Sequence, residues 1–144
     1  MWRELISELV PENRLFPAAS SAGIESANTA LGIELPAELR ALLLETDGVF
    51  GSYELGLVWP VERIAHDNVA FRANIEFREL YMSFDDLLFF GDAGNGDQFA
   101  FAICAGRVRR PDIFAWNHED DSRVWVAPSL QKYLEWTSVG KIKL

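Results

Sequence analysis

The chain has 144 residues, of which 49% are hydrophobic, 12% aromatic and 24% charged, which is the composition of an ordinary globular domain and excludes a disordered segment. Its 22 acidic and 13 basic side chains give a formal net charge of −9, which argues against direct binding to the phosphate backbone of a nucleic acid. The single cysteine, the lack of a signal peptide and the lack of an apolar run of about 18 residues predict a cytoplasmic protein without a disulfide or a membrane span.

Three helices are predicted in the first third of the chain. The first ends before Pro11, and apolar residues at helical spacing form its buried face: Trp2, Leu5, Ile6 and Leu9. The second covers residues 25–31 and ends at Gly32. The third has Pro36 in its first turn and ends at Gly48, and its buried face carries Leu39, Leu42, Leu43 and Thr46.

A strand and a fourth helix are predicted to follow. Alternating side chains predict a half-buried strand that is closed by Pro60 and leaves Glu54 exposed; its inward residues are Tyr53, Leu55, Leu57 and Trp59. The helix begins at Val61 and exposes Glu62. Its inward side chains keep helical spacing and are Ile64, Asn68, Phe71 and Ile75.

Two hairpins and a last helix complete the predicted elements. The apolar run 87–90 indicates a central strand covered on both faces, and it should pair with the alternating segment 98–103. A second hairpin joins 112–117 to 123–126, and the last helix begins near Ser129 and ends before Gly140. The predicted fold class is α+β, a mainly antiparallel sheet with helices packed against it, in a single domain over 1–144 whose first 20 residues are a helix and lead-in.

The segment FFGDAGNGDQFAF, residues 89–101, looks most like a binding site. A phosphate loop would lead into a helix, whereas this segment leads into a strand. Calcium could use the oxygens of Asp92, Asn95 and Asp97, but the spacing is not that of a calcium-binding loop. We therefore predict a structural turn in which Gly94 or Gly96 has a positive φ and Phe99 and Phe101 are buried.

The acidic turn His118-Glu119-Asp120-Asp121 is the second candidate site. A histidine beside three acids could form a weak metal or acid–base cluster, although a hairpin turn is polar in any case. Trp116 precedes the turn and could belong to a protein-binding patch or to the rim of the sheet.

The other residues with possible chemistry are interpreted as structural. His66 lacks a second histidine at metal-pair spacing and is expected to be solvated or partly packed, and Cys104 is expected to be a small buried residue on a strand. Asp85 and Asp86 are expected on a strand, where they point to opposite faces. Trp59, Trp125 and Trp136 are expected to pack in the core. We predict no enzymatic activity, cofactor or metal.

Four segments in order resemble the SUKH superfamily, in particular the branch named for the fungal cell-wall assembly regulator: LGIELPAELRALLLETDGVFG, LVWPVERIAHDNVAFR, LLFFGDAGNGDQFAF and DIFAWNHEDDSRVWVAPSLQKYLEWT. The resemblance covers residues 23–137. Its most specific marks are Leu35-Pro36, the turn 94–97 and Trp116-Asn117-His118. Asn117 departs from the aspartate that such sequences often carry.

The resemblance implies an α+β fold, and in bacterial members an immunity protein that binds and neutralises a toxin, often a nuclease. The alternative is a regulatory or scaffold domain that binds signalling or cell-wall synthesis proteins. An acidic surface would suit a basic toxin domain. We therefore expect a protein partner and no nucleic acid or membrane, and a partner-binding face formed by Glu54, Glu62, Trp116, His118, Glu119, Asp120 and Asp121.

Overall fold

The computed structural model of the chain describes residues 1–14 and 16–142. The helices in these residues are α1 (Trp2–Leu9), α2 (Ser21–Leu31), α3 (Ala37–Leu43), α4 (Val61–Ala73), α5 (Ile75–Leu80) and α6 (Leu130–Ser138). The strands are β1 (Val49–Phe50), β2 (Gly56–Val58), β3 (Leu87–Asp92), β4 (Gln98–Ala102), β5 (Ile113–Trp116) and β6 (Arg123–Ala127). Within the described ranges, no helix combines the length and the apolar character that a membrane crossing requires.

The main sheet has four antiparallel strands in the order β3-β4-β5-β6. The short strands β1 and β2 form a separate antiparallel pair, and the N–H of Trp59, just after β2, donates to the carbonyl oxygen of Phe90 at 2.8 Å. Both predicted hairpins, β3–β4 and β5–β6, are confirmed. The predicted α+β class is confirmed as well, because the helices pack on a mainly antiparallel sheet.

Strand β3 is buried on both faces, as its apolar run predicted. Successive strand residues point to opposite sides. Phe89 accordingly contacts the rings of Phe71 and Phe84 on the side of α4, with centroid distances of 5.6 and 5.2 Å. Phe90 contacts Tyr133 of α6 at 5.3 Å on the other side. The sheet is therefore the middle layer between α4 and α6.

Asn68 takes the place of a strand along part of the open side of β3. Its side chain is fully buried; its Nδ2 donates to the carbonyl oxygen of Phe89 at 2.8 Å, and its Oδ1 accepts from the N–H of Phe89 at 2.8 Å. The same Nδ2 also donates to the carbonyl oxygen of Ile64 at 2.7 Å. One amide thus satisfies both backbone groups of a strand residue, because buried backbone groups require partners.

The first 20 residues contribute to the core. Helix α1 packs on α3 and α6, and its Trp2 and Ile6 belong to the same apolar cluster as the sheet. The predicted buried face of the third helix is confirmed, although that helix ends at Leu43, five residues before Gly48. Helix α2 ends at Gly32 as predicted but begins earlier, at Ser21, because the hydroxyl of Ser20 caps it by accepting from the N–H of Gly23.

The predicted strand over residues 53–59 is wrong in its first half. Residues Ser52–Glu54 form a 3-10 turn in which Tyr53 and Glu54 both have a φ of 57°, and Tyr53 is fully exposed. The alternation of apolar side chains continues through this turn by coincidence. Only Gly56–Val58 is a strand, and all three of its residues are buried.

Four other local expectations are wrong. Ile75 is exposed, because α4 ends at Ala73 and the side chain of Asn74 caps a new helix, α5. Asp85 and Asp86 lie in a 3-10 helix, Phe84–Asp86, and not on a strand. Cys104 is exposed in a tight turn beyond β4, and Trp125 is about half exposed because β6 is the edge strand of the main sheet.

Candidate functional site

The glycine-rich segment is a tight turn between β3 and β4. Gly94 and Gly96 have φ values of 95° and 94°, and Phe99 and Phe101 are buried, so both parts of the prediction are confirmed. Gly96 is constrained in a second way. A Cβ atom at this position would lie 2.8 Å from Cε1 of His118, which is closer than side-chain atoms normally approach.

The side-chain oxygens of Asp92, Asn95 and Asp97, which could bind calcium, all have partners within the protein. Asp92 accepts from Nε1 of Trp59 at 3.0 Å and pairs with Arg63 at 3.1 Å, while the Arg63 guanidinium lies 4.1 Å from the centre of the Trp59 ring. Oδ1 of Asn95 accepts from the N–H of Asp97 at 3.1 Å. These contacts hold the turn against β2 and α4, which supports a structural role.

Asp97 joins the glycine turn to the acidic turn. Its side chain is buried, and Oδ1 lies 2.7 Å from Nδ1 of His118 and accepts from the N–H of His118 at 3.1 Å. His118 therefore has its carboxylate partner on the β3–β4 turn, and not among the three acids that follow it. A sequence pattern could not find this pair, because the two residues are 21 positions apart and meet only through the pairing of β4 with β5.

Asp121 is a structural residue at the end of the acidic turn. It has a φ of 61° and accepts hydrogen bonds from Trp116 Nε1 at 2.7 Å, from Met82 N–H at 2.9 Å and from Arg123 Nη2 at 3.1 Å. Partial burial alone would raise the pKa of Asp121, but these hydrogen bonds outweigh it and lower the pKa below its ordinary value. The carboxylate is thus already used within the fold.

Glu119 and Asp120 are the exposed carboxylates of the turn. Asn117 Oδ1 accepts from the N–H of Glu119 at 2.8 Å, so an asparagine performs the turn-forming role at this position. Asp120 Oδ1 accepts from the N–H of Ser122 at 2.9 Å, and this bond lowers the pKa of Asp120. Both carboxylates lie on a turn with fixed backbone geometry, and the Glu119 side chain extends into solvent.

The remaining residues of the expected binding face lie on other elements or are buried. Glu54 is exposed on its 3-10 turn and faces Arg14 at 3.9 Å, and Glu62 is exposed in the first turn of α4. In residues 1–14 and 16–142, no hydrogen bond or ion pair connects either of them to residues 118–121. Trp116 is only 7% exposed and packs against Tyr81, Phe84 and Phe89, so it has little surface to offer a partner.

The described part of the chain contains no group of three or more histidine, cysteine or acidic side chains placed to hold a metal ion. His66 is exposed as expected, with Nδ1 3.0 Å from Asp67 Oδ1. Internal hydrogen bonds hold the two turns in place, and the exposed carboxylates of Glu119 and Asp120 lie on one of them.

This α+β domain, with helices packed on a four-stranded antiparallel sheet, has the architecture that the resemblance to the SUKH superfamily implied. The sequence profile of the family SUKH_6, described as "SMI1-KNR4 cell-wall", matches residues 21–134, so the chain belongs to this family and the resemblance found in the sequence is confirmed. Proteins of the family are generally non-enzymatic. A comparison with curated proteins finds no match.

Proposed function

We propose that this protein is a non-enzymatic binding domain that neutralises a bacterial toxin with a basic surface, as bacterial members of the superfamily are thought to do. The observation that carries the proposal is the acidic turn. Glu119 and Asp120 are exposed on it, while His118 and Asp121 are engaged in hydrogen bonds within the fold. Because hydrogen bonds hold the backbone of this turn, its carboxylates can attract a basic partner without a large loss of backbone freedom on binding.

The absence of catalysis belongs to the same proposal. The pair of His118 and Asp97 resembles an acid–base pair in its 2.7 Å contact. Its backbone contact, from the N–H of His118 to the same carboxylate oxygen, instead supports a role in fastening one turn to the other. A His118 variant without the imidazole should therefore have a lower free energy of unfolding. Neither the wild type nor this variant should show enzymatic turnover.

The test is a growth experiment with the product of the gene next to this one. The neighbouring toxin domain is expressed from an inducible promoter with or without this protein, and the purified pair is examined by gel filtration. Rescue of growth together with a stable complex supports the proposal. A neighbouring gene that encodes no toxin, or a toxin that this protein neither binds nor neutralises, contradicts it.

A regulatory or scaffold role is the second candidate, and the cell-wall description of the matched family favours it. In that case the partner is a protein of the host's own cell-wall synthesis or signalling machinery. Deletion of the gene would then alter cell-wall synthesis in cells that contain no toxin. If the protein is an immunity protein, deletion of the gene should leave cell-wall synthesis unchanged in such cells.

A further inference from the structure

Two exposed apolar side chains lie at the end of α5. Leu80 and Met82 are 71% and 68% exposed, although the residue between them is held by the core. Tyr81 has an extended backbone, and its ring contacts those of Trp116, Phe84 and Phe77 at centroid distances of 5.1, 5.7 and 5.8 Å. Because neighbours in an extended segment point to opposite sides, an inward Tyr81 places Leu80 and Met82 outward.

Hydrogen bonds fasten this segment to the acidic turn. The Tyr81 hydroxyl donates to the carbonyl oxygen of His118 at 2.8 Å, and the N–H of Met82 donates to Asp121 Oδ2 at 2.9 Å. From the other direction, Arg123 donates to the carbonyl oxygens of Met82 and Ser83 at 3.1 and 3.3 Å. The exposed apolar side chains are thus presented on a fixed backbone, beside the turn that carries Glu119 and Asp120.

The rim of this apolar surface is acidic. Glu79 precedes Leu80, and Glu119 and Asp120 lie on the adjoining turn; all three carboxylates are exposed. Three arginines lie beside this surface, and each donates to backbone carbonyl oxygens: Arg78 to Arg72 at 3.0 Å, Arg72 to Leu87 at 3.1 Å, and Arg123 to Met82 and Ser83. Exposed apolar side chains with a polar rim are typical of protein interaction sites, and methionine is common there because its flexible side chain adapts to different partners.

We propose that Leu80 and Met82, with Glu79, Glu119 and Asp120 as their rim, form the surface that docks a basic segment of the partner protein. We call this surface the Leu80–Met82 surface. The segment it fits presents an apolar side chain between lysines or arginines, so that the apolar groups pack together while the cations meet the carboxylates. A second copy of this chain does not fit, because two identical acidic rims would repel each other. The inference rests on the proposed protein-binding function and names its site.

The test uses the full chain and three synthetic peptides of equal length. The probe is an amphipathic helix of lysine and leucine, and the controls replace either leucine by serine or lysine by glutamate. Each peptide is titrated while the backbone amide signals of the protein are followed by NMR. We expect that, of the three peptides, only the lysine–leucine peptide binds well. Its chemical shift changes should be concentrated in the amides of residues 79–83 and 117–122.

The variant Leu80→Ser/Met82→Ser should weaken this binding about tenfold, because it removes two apolar contacts from an exposed site. The matched control is Val139→Ser, which changes an apolar residue of similar exposure at the end of α6. Amide spectra of both variants show whether the fold is retained. Shifts spread over the whole acidic surface, equal binding of the lysine–serine peptide, or equal affinity of both variants would overturn the proposal.

The test of the Leu80–Met82 surface can fail without contradicting the immunity function, and the reverse also holds. If the double variant protects cells from the neighbouring toxin as well as the wild type does, the Leu80–Met82 surface is not the docking site, while the immunity function stands. If the peptide binds at this surface but no toxin is neutralised, the surface stands and the immunity function is wrong.

Discussion

Gly96 is restricted by its backbone and by its surroundings, whereas Gly94 is restricted mainly by its backbone. Both have a positive φ, but a Cβ at Gly94 would meet the Leu55 side chain at an ordinary 3.5 Å, and a Cβ at Gly96 would meet the His118 ring at 2.8 Å. We expect Gly94→Ala to lower the free energy of unfolding by about 1–2 kcal/mol through backbone strain. Gly96→Ala should cost about 1–3 kcal/mol more, because the His118 ring must move away from Asp97.

Urea denaturation of the two variants measures this difference. Equal losses would show that the His118 ring yields without cost and that the link between the two turns does not contribute to stability.

Asp121 and Asp120 are neighbours with opposite roles. Asp121→Asn should lower the free energy of unfolding by about 1–3 kcal/mol, because its three donors lose a charged acceptor. Asp120→Asn keeps the oxygen that caps Ser122 and should stay within about 0.5 kcal/mol of the wild type. Thermal or urea unfolding of both variants at neutral pH gives the comparison, and similar losses would contradict the assignment of roles.

The pH dependence of stability follows from the lowered pKa of Asp121. A carboxylate whose pKa is lower in the folded state stabilises the fold above its unfolded pKa, which is about 3.9, and this contribution is lost as the pH falls through the folded value. The wild type should therefore lose stability below about pH 4 more steeply than Asp121→Asn does. Parallel curves for the two proteins would show that Asp121 contributes nothing to acid unfolding.

At the scale of single elements, Asn68 joins α4 to β3 by two hydrogen bonds to the backbone of Phe89. Replacing it by leucine preserves the volume but leaves the N–H and the carbonyl oxygen of Phe89 without these partners. We expect Asn68→Leu to lower the free energy of unfolding by about 2–4 kcal/mol and to speed hydrogen exchange at the Phe89 amide. The control is Val69→Ser on the exposed side of the same helix. Unchanged exchange at Phe89 would contradict the role assigned to Asn68.

The elements that the sequence predicted well have local signals. Helix α6 has a serine cap and a glycine beyond its end, and the short apolar run 87–90 is typical of a buried strand. Two of the failures lie where a regular pattern is interrupted: Asn74 starts a new helix inside a helical repeat, and the positive φ of Tyr53 and Glu54 bends a segment with the alternation of a strand. A pattern of apolar side chains does not record such interruptions.

The candidate site was predictable only in part for a related reason. The acidic turn and the glycine turn are both visible in the sequence, but the contact between Asp97 and His118 arises from the pairing of β4 with β5. The burial of Trp116 and the engagement of Asp121 likewise depend on Tyr81 and Met82, which reach the turn from a helix far away in the chain. The Leu80–Met82 surface has no sequence signal, because the outward direction of both side chains depends on the extended backbone of Tyr81 and on the packing of its ring against Trp116.

At the scale of the whole molecule, the net charge of −9 gives a long-range attraction for a basic partner, but only local charges can orient that partner. The variant Glu119→Lys/Asp120→Asn tests this distinction, since it alters the turn while the cap on Ser122 is retained. A matched control, Glu8→Lys/Glu25→Gln, changes the formal charge by the same amount at exposed positions on α1 and α2. Asp121 is left unchanged in both, because its carboxylate supports the fold.

The most direct measurement is the association rate of this protein with the toxin domain that the proposed function assigns as its partner, followed by stopped flow as the salt concentration is raised. The account predicts that the rate falls with salt, that Glu119→Lys/Asp120→Asn slows association about tenfold at low ionic strength, and that the Glu8/Glu25 control stays close to the wild type. An association rate that ignores salt, or that both variants change equally, would contradict the claim that the acidic turn receives a basic partner.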